Sequence, residues 1–71
     1  MRYQLSEFDF DSDVKELAGK IYDAVDGKID DTLLFAWIGD IHLYLKQDAV
    51  HGRISPSLAE EYQKHFWGFY R

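Results

Sequence analysis

The chain has 71 residues, 46% of them hydrophobic and 17% aromatic, with 13 acidic against 8 basic side chains and a formal net charge of −5. A chain of this length buries only about 60% of its unfolded surface and builds one modest core, so residues 1–71 are read as a single domain. The composition excludes a disordered chain, the acidic balance opposes direct binding to nucleic-acid phosphates or anionic lipid, and the absence of cysteine excludes a disulfide framework or thiolate metal site.

The negative charge is concentrated. Nine of the 13 acidic residues fall in positions 1–31 against four basic ones, and the remainder of the chain is balanced. Residues 1–11 form an acidic aromatic arm in which Glu7-Phe8-Asp9-Phe10-Asp11 alternates carboxylates with rings. Tyr3 and Leu5 lie on one phase of an extended chain and Phe8 and Phe10 on the other, which predicts an ordered arm or a short strand.

A first helix is expected over residues 12–26, where Val14, Leu17, Ala18, Ile21, Tyr22 and Val25 recur with helical spacing. Ser12 or Asp13 is placed to cap it, Glu16 stands three residues after Asp13 as in a capping box, and Gly27 suits a left-handed C-terminal residue.

The second helix is expected over residues 31–51, with Asp30 as its cap and Ile29 and Leu34 as a hydrophobic staple. Leu34, Trp37, Ile38, Ile41 and Leu45 make its core stripe, with Trp37, Ile38 and Ile41 expected at the centre. Leu33, Phe35, Leu43 and Tyr44 fall outside that stripe, so this helix is central or lies at an interface. A competing reading breaks it at Gly39-Asp40 and takes Ile41–Lys46, which alternates with period two, as a strand. No hairpin turn or pairing partner follows, and the helix is preferred.

Gly52 ends the second helix, and a third is expected over residues 56–70, with Ser55 as cap and Pro56 in the first turn, where its missing N–H is not needed. Ser57 and Glu60 offer a second capping box. Leu58, Ala59, Tyr62, Phe66, Phe69 and Tyr70 form the apolar stripe, and Trp67 falls off it. Trp67 is left either under the N-terminal arm or on an exposed aromatic patch. The expected fold is all-α, a small three-helix bundle with an N-terminal extended arm or short strand.

Catalytic signals are weak. The carboxylates fall on helix starts and polar faces, Ser55 and Ser57 read as caps, and neither a phosphate-binding glycine loop nor a nucleophile elbow is present. His42, His51 and His65 form no metal-ligand pair. Glu61 and His65 are spaced for a hydrogen bond on the helix surface, and His42 for one to a carboxylate such as the nearby Asp40. The chain is therefore read as neither an enzyme nor a metal or cofactor protein.

The expected function is a non-catalytic protein-binding module, a small acidic inhibitor or adaptor acting on a basic macromolecular partner. In its extreme form it is a DNA mimic against a nucleic-acid-binding protein. Glu7, Phe8, Asp9, Phe10, Asp11 and Asp13 are the candidate contacts, with charge speeding encounter and a ring inserted into the partner. The alternative is a structural oligomerisation domain, a homodimer joined through Leu33, Phe35, Leu43 and Trp67. The longest apolar run, Leu33–Ile38, is far short of the roughly 20 residues needed to cross a bilayer, and no secretory leader is visible. Cytoplasmic residence is expected, without membrane association.

Overall fold

A computed structural model describes residues 2–27 and 29–70, leaving Met1, Lys28 and Arg71 outside the described residues. A 3₁₀ turn at Leu5–Phe8 leads into three helices, α1 (Ser12–Asp26), α2 (Asp31–Val50) and α3 (Pro56–Trp67). There is no strand among the described residues. The bundle is the expected one, but the arm is neither extended nor a strand. Gln4 and Glu7 form a reciprocal capping box across the turn, in which the Glu7 carboxylate accepts from the Gln4 N–H at 3.0 Å. That bond closes the segment locally and directs Phe8 inward.

The cap of α1 is Asp11, not Ser12 or Asp13. Its backbone is extended at φ −152°, and its side chain accepts from the Asp13 N–H at 2.9 Å, so the capping box expected from Asp13 and Glu16 does not form. Gly27 ends the helix in extended backbone at φ −96° and not in the left-handed region. Asp30 caps α2 as expected, accepting from the Thr32 N–H at 2.9 Å.

α2 runs unbroken through Gly39, which costs roughly 1 kcal/mol relative to alanine in a helix interior. Two wholly buried residues on either side, Ile38 and Ile41, hold the helix across it. Burial along α2 follows Leu34, Ile38, Ile41, Leu45 and Asp48, while Leu43 is exposed; the spacing is helical, and the alternation over Ile41–Lys46 does not produce a strand. The helix ends one residue earlier than expected, in a Schellman motif. Gly52, at φ +78°, donates to the Ala49 carbonyl, and the Arg53 N–H donates to the Asp48 carbonyl at 2.8 Å.

Ser55 caps α3 through the Leu58 N–H at 3.1 Å, and Ser57 with Glu60 is not needed as a second box. The helix stops at Trp67, three residues short of expectation. Phe69 and Tyr70 bond back to Phe66 and Trp67 three residues earlier, the tighter pattern of a turn.

The core is Phe8, Val14, Ala18, Ile21, Tyr22, Leu34, Ile38, Ile41, Leu45, Ala59, Tyr62 and Phe66. Trp37 was expected at its centre but is only half-buried, with the Lys20 ammonium 5.9 Å from its ring centroid. Phe8 takes a central place instead, its ring 5.0 Å from Tyr62 and 5.8 Å from Phe66, centroid to centroid. The Tyr22 hydroxyl joins three parts of the chain: it accepts from the Tyr3 N–H and is hydrogen-bonded to His65 Nε2 at 2.8 Å. Burial lowers the pKa of His65 and raises that of Tyr22, so both stay uncharged at neutral pH.

Candidate functional site

The most distinctive group of polar side chains lies where the start of α1 meets the end of α2. Asp48 continues the core stripe of α2 and is 1% exposed. Its Oδ1 accepts from the Arg53 guanidinium at 3.1 Å, and its Oδ2 is buried with no hydrogen-bond partner. Arg53 itself is half-exposed and is held there by the Schellman turn. Burial and the facing Asp11 carboxyl push the Asp48 pKa up to about 6, against the opposing pull of Arg53.

Asp48 lines an open cavity of about 430 Å³ with Phe10, Asp11, Asp13, Tyr44, His51 and Arg53 among its walls. Asp11 is fixed by its cap bond to Asp13, and Asp13 is exposed beside it. Three carboxylates and one guanidinium thus share this end of the bundle, giving a local excess of negative charge. Among the described residues no three His, Asp or Glu side chains converge as ligands for a metal ion.

The six expected partner contacts divide in this structure. Phe8 is wholly buried and walled by Tyr62 and Phe66, so, contrary to expectation, it is not available to insert into a partner. Phe10 is half-buried, its ring parallel to Tyr62 at 6.5 Å. Glu7 closes the 3₁₀ turn, and Asp9 accepts from the Lys15 ammonium at 2.6 Å. Of the six, Phe10, Asp11 and Asp13 reach the cavity.

The four residues assigned to self-association do not share one face. Phe35 and Leu43 are 49% and 60% exposed and stand on one side of α2, with Gly39 between them. Leu33, also exposed, falls on another side, nearer Trp37 and Tyr44. Trp67 is half-buried and packs its ring 5.4 Å from Phe35, which in turn lies 5.2 Å from Tyr70. The indole Nε1–H donates to His42 Nδ1 at 3.2 Å, so Trp67 is neither under the arm nor fully on a patch. His42 therefore meets an indole, not the carboxylate expected from Asp40. Similarly, Glu61 accepts from the Tyr3 hydroxyl and His65 Nε2 is hydrogen-bonded to the Tyr22 hydroxyl, so the expected Glu61–His65 bond is absent.

Asp48, Arg53, His51 and Tyr44 were not assigned to any site from the sequence. A signal was present: Asp48 stands three residues after Leu45 on the apolar series, where a charged side chain is out of pattern. Comparison with family models, with curated proteins and with solved structures finds no match to this chain.

Proposed function

We propose that this domain is a non-catalytic protein-binding module, a small acidic inhibitor or adaptor whose partner is a basic macromolecule. The observation that carries the reading is the pairing of unmatched acid with exposed apolar surface on one small fold. Asp13, Glu16 and Asp23 lie exposed on one side of α1 without an ion-pair partner among the described residues. On α2, Leu33, Phe35, Leu43, Tyr44 and Val50 remain between 42% and 73% exposed, distributed over two sides of the helix. Acid surface accelerates encounter with a basic partner, and apolar surface slows its departure. A DNA mimic is the extreme form of this reading, with carboxylates standing where phosphates would lie. No described helix is long and apolar enough to cross a membrane.

The test is affinity capture at low and high salt, followed by binding kinetics with the captured protein. Neutralising Glu7, Asp9, Asp11 and Asp13 to Gln or Asn should slow association and flatten its salt dependence. Equally tight binding by that variant at low salt would sink the electrostatic reading.

Self-association is the second reading, favoured by the continuity of Phe35 with Trp67 and Tyr70 and by the open space around Gly39, where an added Cβ would meet nothing within 4 Å. A twofold dimer through this side of α2 would cover both Phe35 and Leu43. Sedimentation in the high micromolar range decides it: a monomer there removes this reading, and Leu43→Lys should dissociate any dimer that forms.

A further inference from the structure

We propose that the cavity between the start of α1 and the end of α2 receives an arginine side chain of a basic partner, with its guanidinium seated against Asp48 and Asp11. The inference rests on the basic-partner reading and names the group that would be recognised.

Three observations converge on this cavity. Asp48 carries a carboxylate oxygen that is fully buried and has no partner, while its other oxygen already accepts from Arg53. A buried carboxylate oxygen without a donor is costly, and an arriving N–H donor removes that cost. Asp11 and Asp13 bring two further carboxylates to the same cavity, which leaves an excess of negative charge after Arg53 is counted. Finally, the rings of Phe10 and Tyr44 form part of its wall.

This combination selects among cations. A bare metal ion needs several oxygens converging on one point, and these carboxylates do not converge. An ammonium is a compact and strongly hydrated charge. A guanidinium is planar and weakly hydrated, donates in a fork to carboxylates and stacks on aromatic faces, which matches the mixed lining. At about 430 Å³ the cavity falls within the usual size range of ligand sites, about 300–1,000 Å³.

The groups facing Asp48 also set a pH dependence. Asp11 and Asp13 stand on α1, His51 ends α2, and Arg53 follows on the turn. With its pKa pushed up to about 6, Asp48 holds a proton at pH 5 and has mostly lost it at pH 7. The guanidinium takes the place of that proton. Its affinity should therefore rise about tenfold from pH 5 to pH 7, in proportion to the ionised fraction.

The experiment is an NMR titration of the whole chain with a blocked arginine-containing peptide, alongside its lysine and citrulline counterparts, at low salt. Arginine should bind tightest and citrulline not measurably, with amide shifts concentrated on residues 10–13 and 44–53. Asp48→Asn should weaken arginine binding at least tenfold at pH 7 and abolish the pH step. Asp11→Asn, which retains an N-cap acceptor, should lower affinity without unfolding α1. Shifts spread over Asp23, Asp26, Asp30 and Asp31, with no pH step and no effect of Asp48→Asn, would overturn the pocket and leave the basic-partner reading standing. A peptide that fails to bind also overturns the pocket, while the capture experiment decides the partner reading separately.

Discussion

Replacing Asp48 with asparagine should stabilise this domain at neutral pH, an unusual outcome for a substitution at a buried position. The carboxyl group is 1% exposed, faces Asp11, and titrates near 6 where the ordinary value is 3.8. A raised carboxyl pKa means that the folded state holds a proton the unfolded chain has released. Between about pH 4 and pH 6 the native state therefore binds more protons, and stability falls as the pH rises through that window. The displacement from 3.8 to about 6 corresponds to at most about 3 kcal/mol at pH 7. Asparagine is nearly the same size, keeps an acceptor for Arg53, and offers an N–H donor toward Asp11. A gain of about 1–3 kcal/mol at pH 7 is expected, which for a domain this small raises the melting temperature by roughly 7–20 °C. Urea unfolding of both proteins from pH 4 to pH 8 measures it. Taking the difference between them cancels the opposite contribution of His65, whose lowered pKa withdraws stability as the pH falls through the imidazole range. The difference should vanish near pH 4. A variant less stable than the parent at pH 7, or a difference that does not change with pH, would refute the argument and show that the Arg53 ion pair outweighs burial.

Phe8→Ala should cost on the order of 3–5 kcal/mol in urea unfolding, comparable to the whole stability of a small domain, because the ring is enclosed by core residues. Ile38→Ala should cost roughly 2–5 kcal/mol, and a loss below about 0.5 kcal/mol would contradict its burial. Asp11→Ala should remove about 1 kcal/mol through the lost cap, whereas Asp11→Asn should spare most of it; circular dichroism during unfolding distinguishes them. Leu43→Lys should leave stability within about 0.5 kcal/mol, since the residue is 60% exposed, while weakening any contact made by that side of α2.

The helices were legible because their signals are local. Asp30, Ser55 and Pro56 mark two helix starts without reference to the rest of the chain, and the apolar series of α1 and α3 need only their own spacing. The bounds of α1 are those expected, but its cap is Asp11 and not Ser12 or Asp13, because all three can cap and only the folded backbone separates them. Phe8 was unreadable for a different reason. An alternation of acids and rings looks like an arm with one wet side, and only contact with α3, far along the chain, turns the ring inward. The histidines show the same limit, since His65 bonds to Tyr22 and His42 to Trp67, and neither uses its near neighbour in sequence. Asp48, by contrast, departs from the apolar stripe of α2 in a way visible in the sequence without any tertiary contact.

The docking of the N-terminal turn against α3 has a kinetic consequence. Tyr3 and Glu61 are 58 residues apart and hydrogen-bonded, and Phe8 meets Tyr62 and Phe66 across a similar span. Helix-rich domains owe their rapid folding to short-range contacts, and the chain from α1 through α2 fits that pattern. Closing the ends does not, because the entropy of a long loop must be lost before the aromatic contacts repay it. α3 should therefore dock on α2 early, with Phe8 entering late. On that order, Phe8→Ala accelerates unfolding and leaves the folding rate nearly unchanged, whereas Ile38→Ala slows folding.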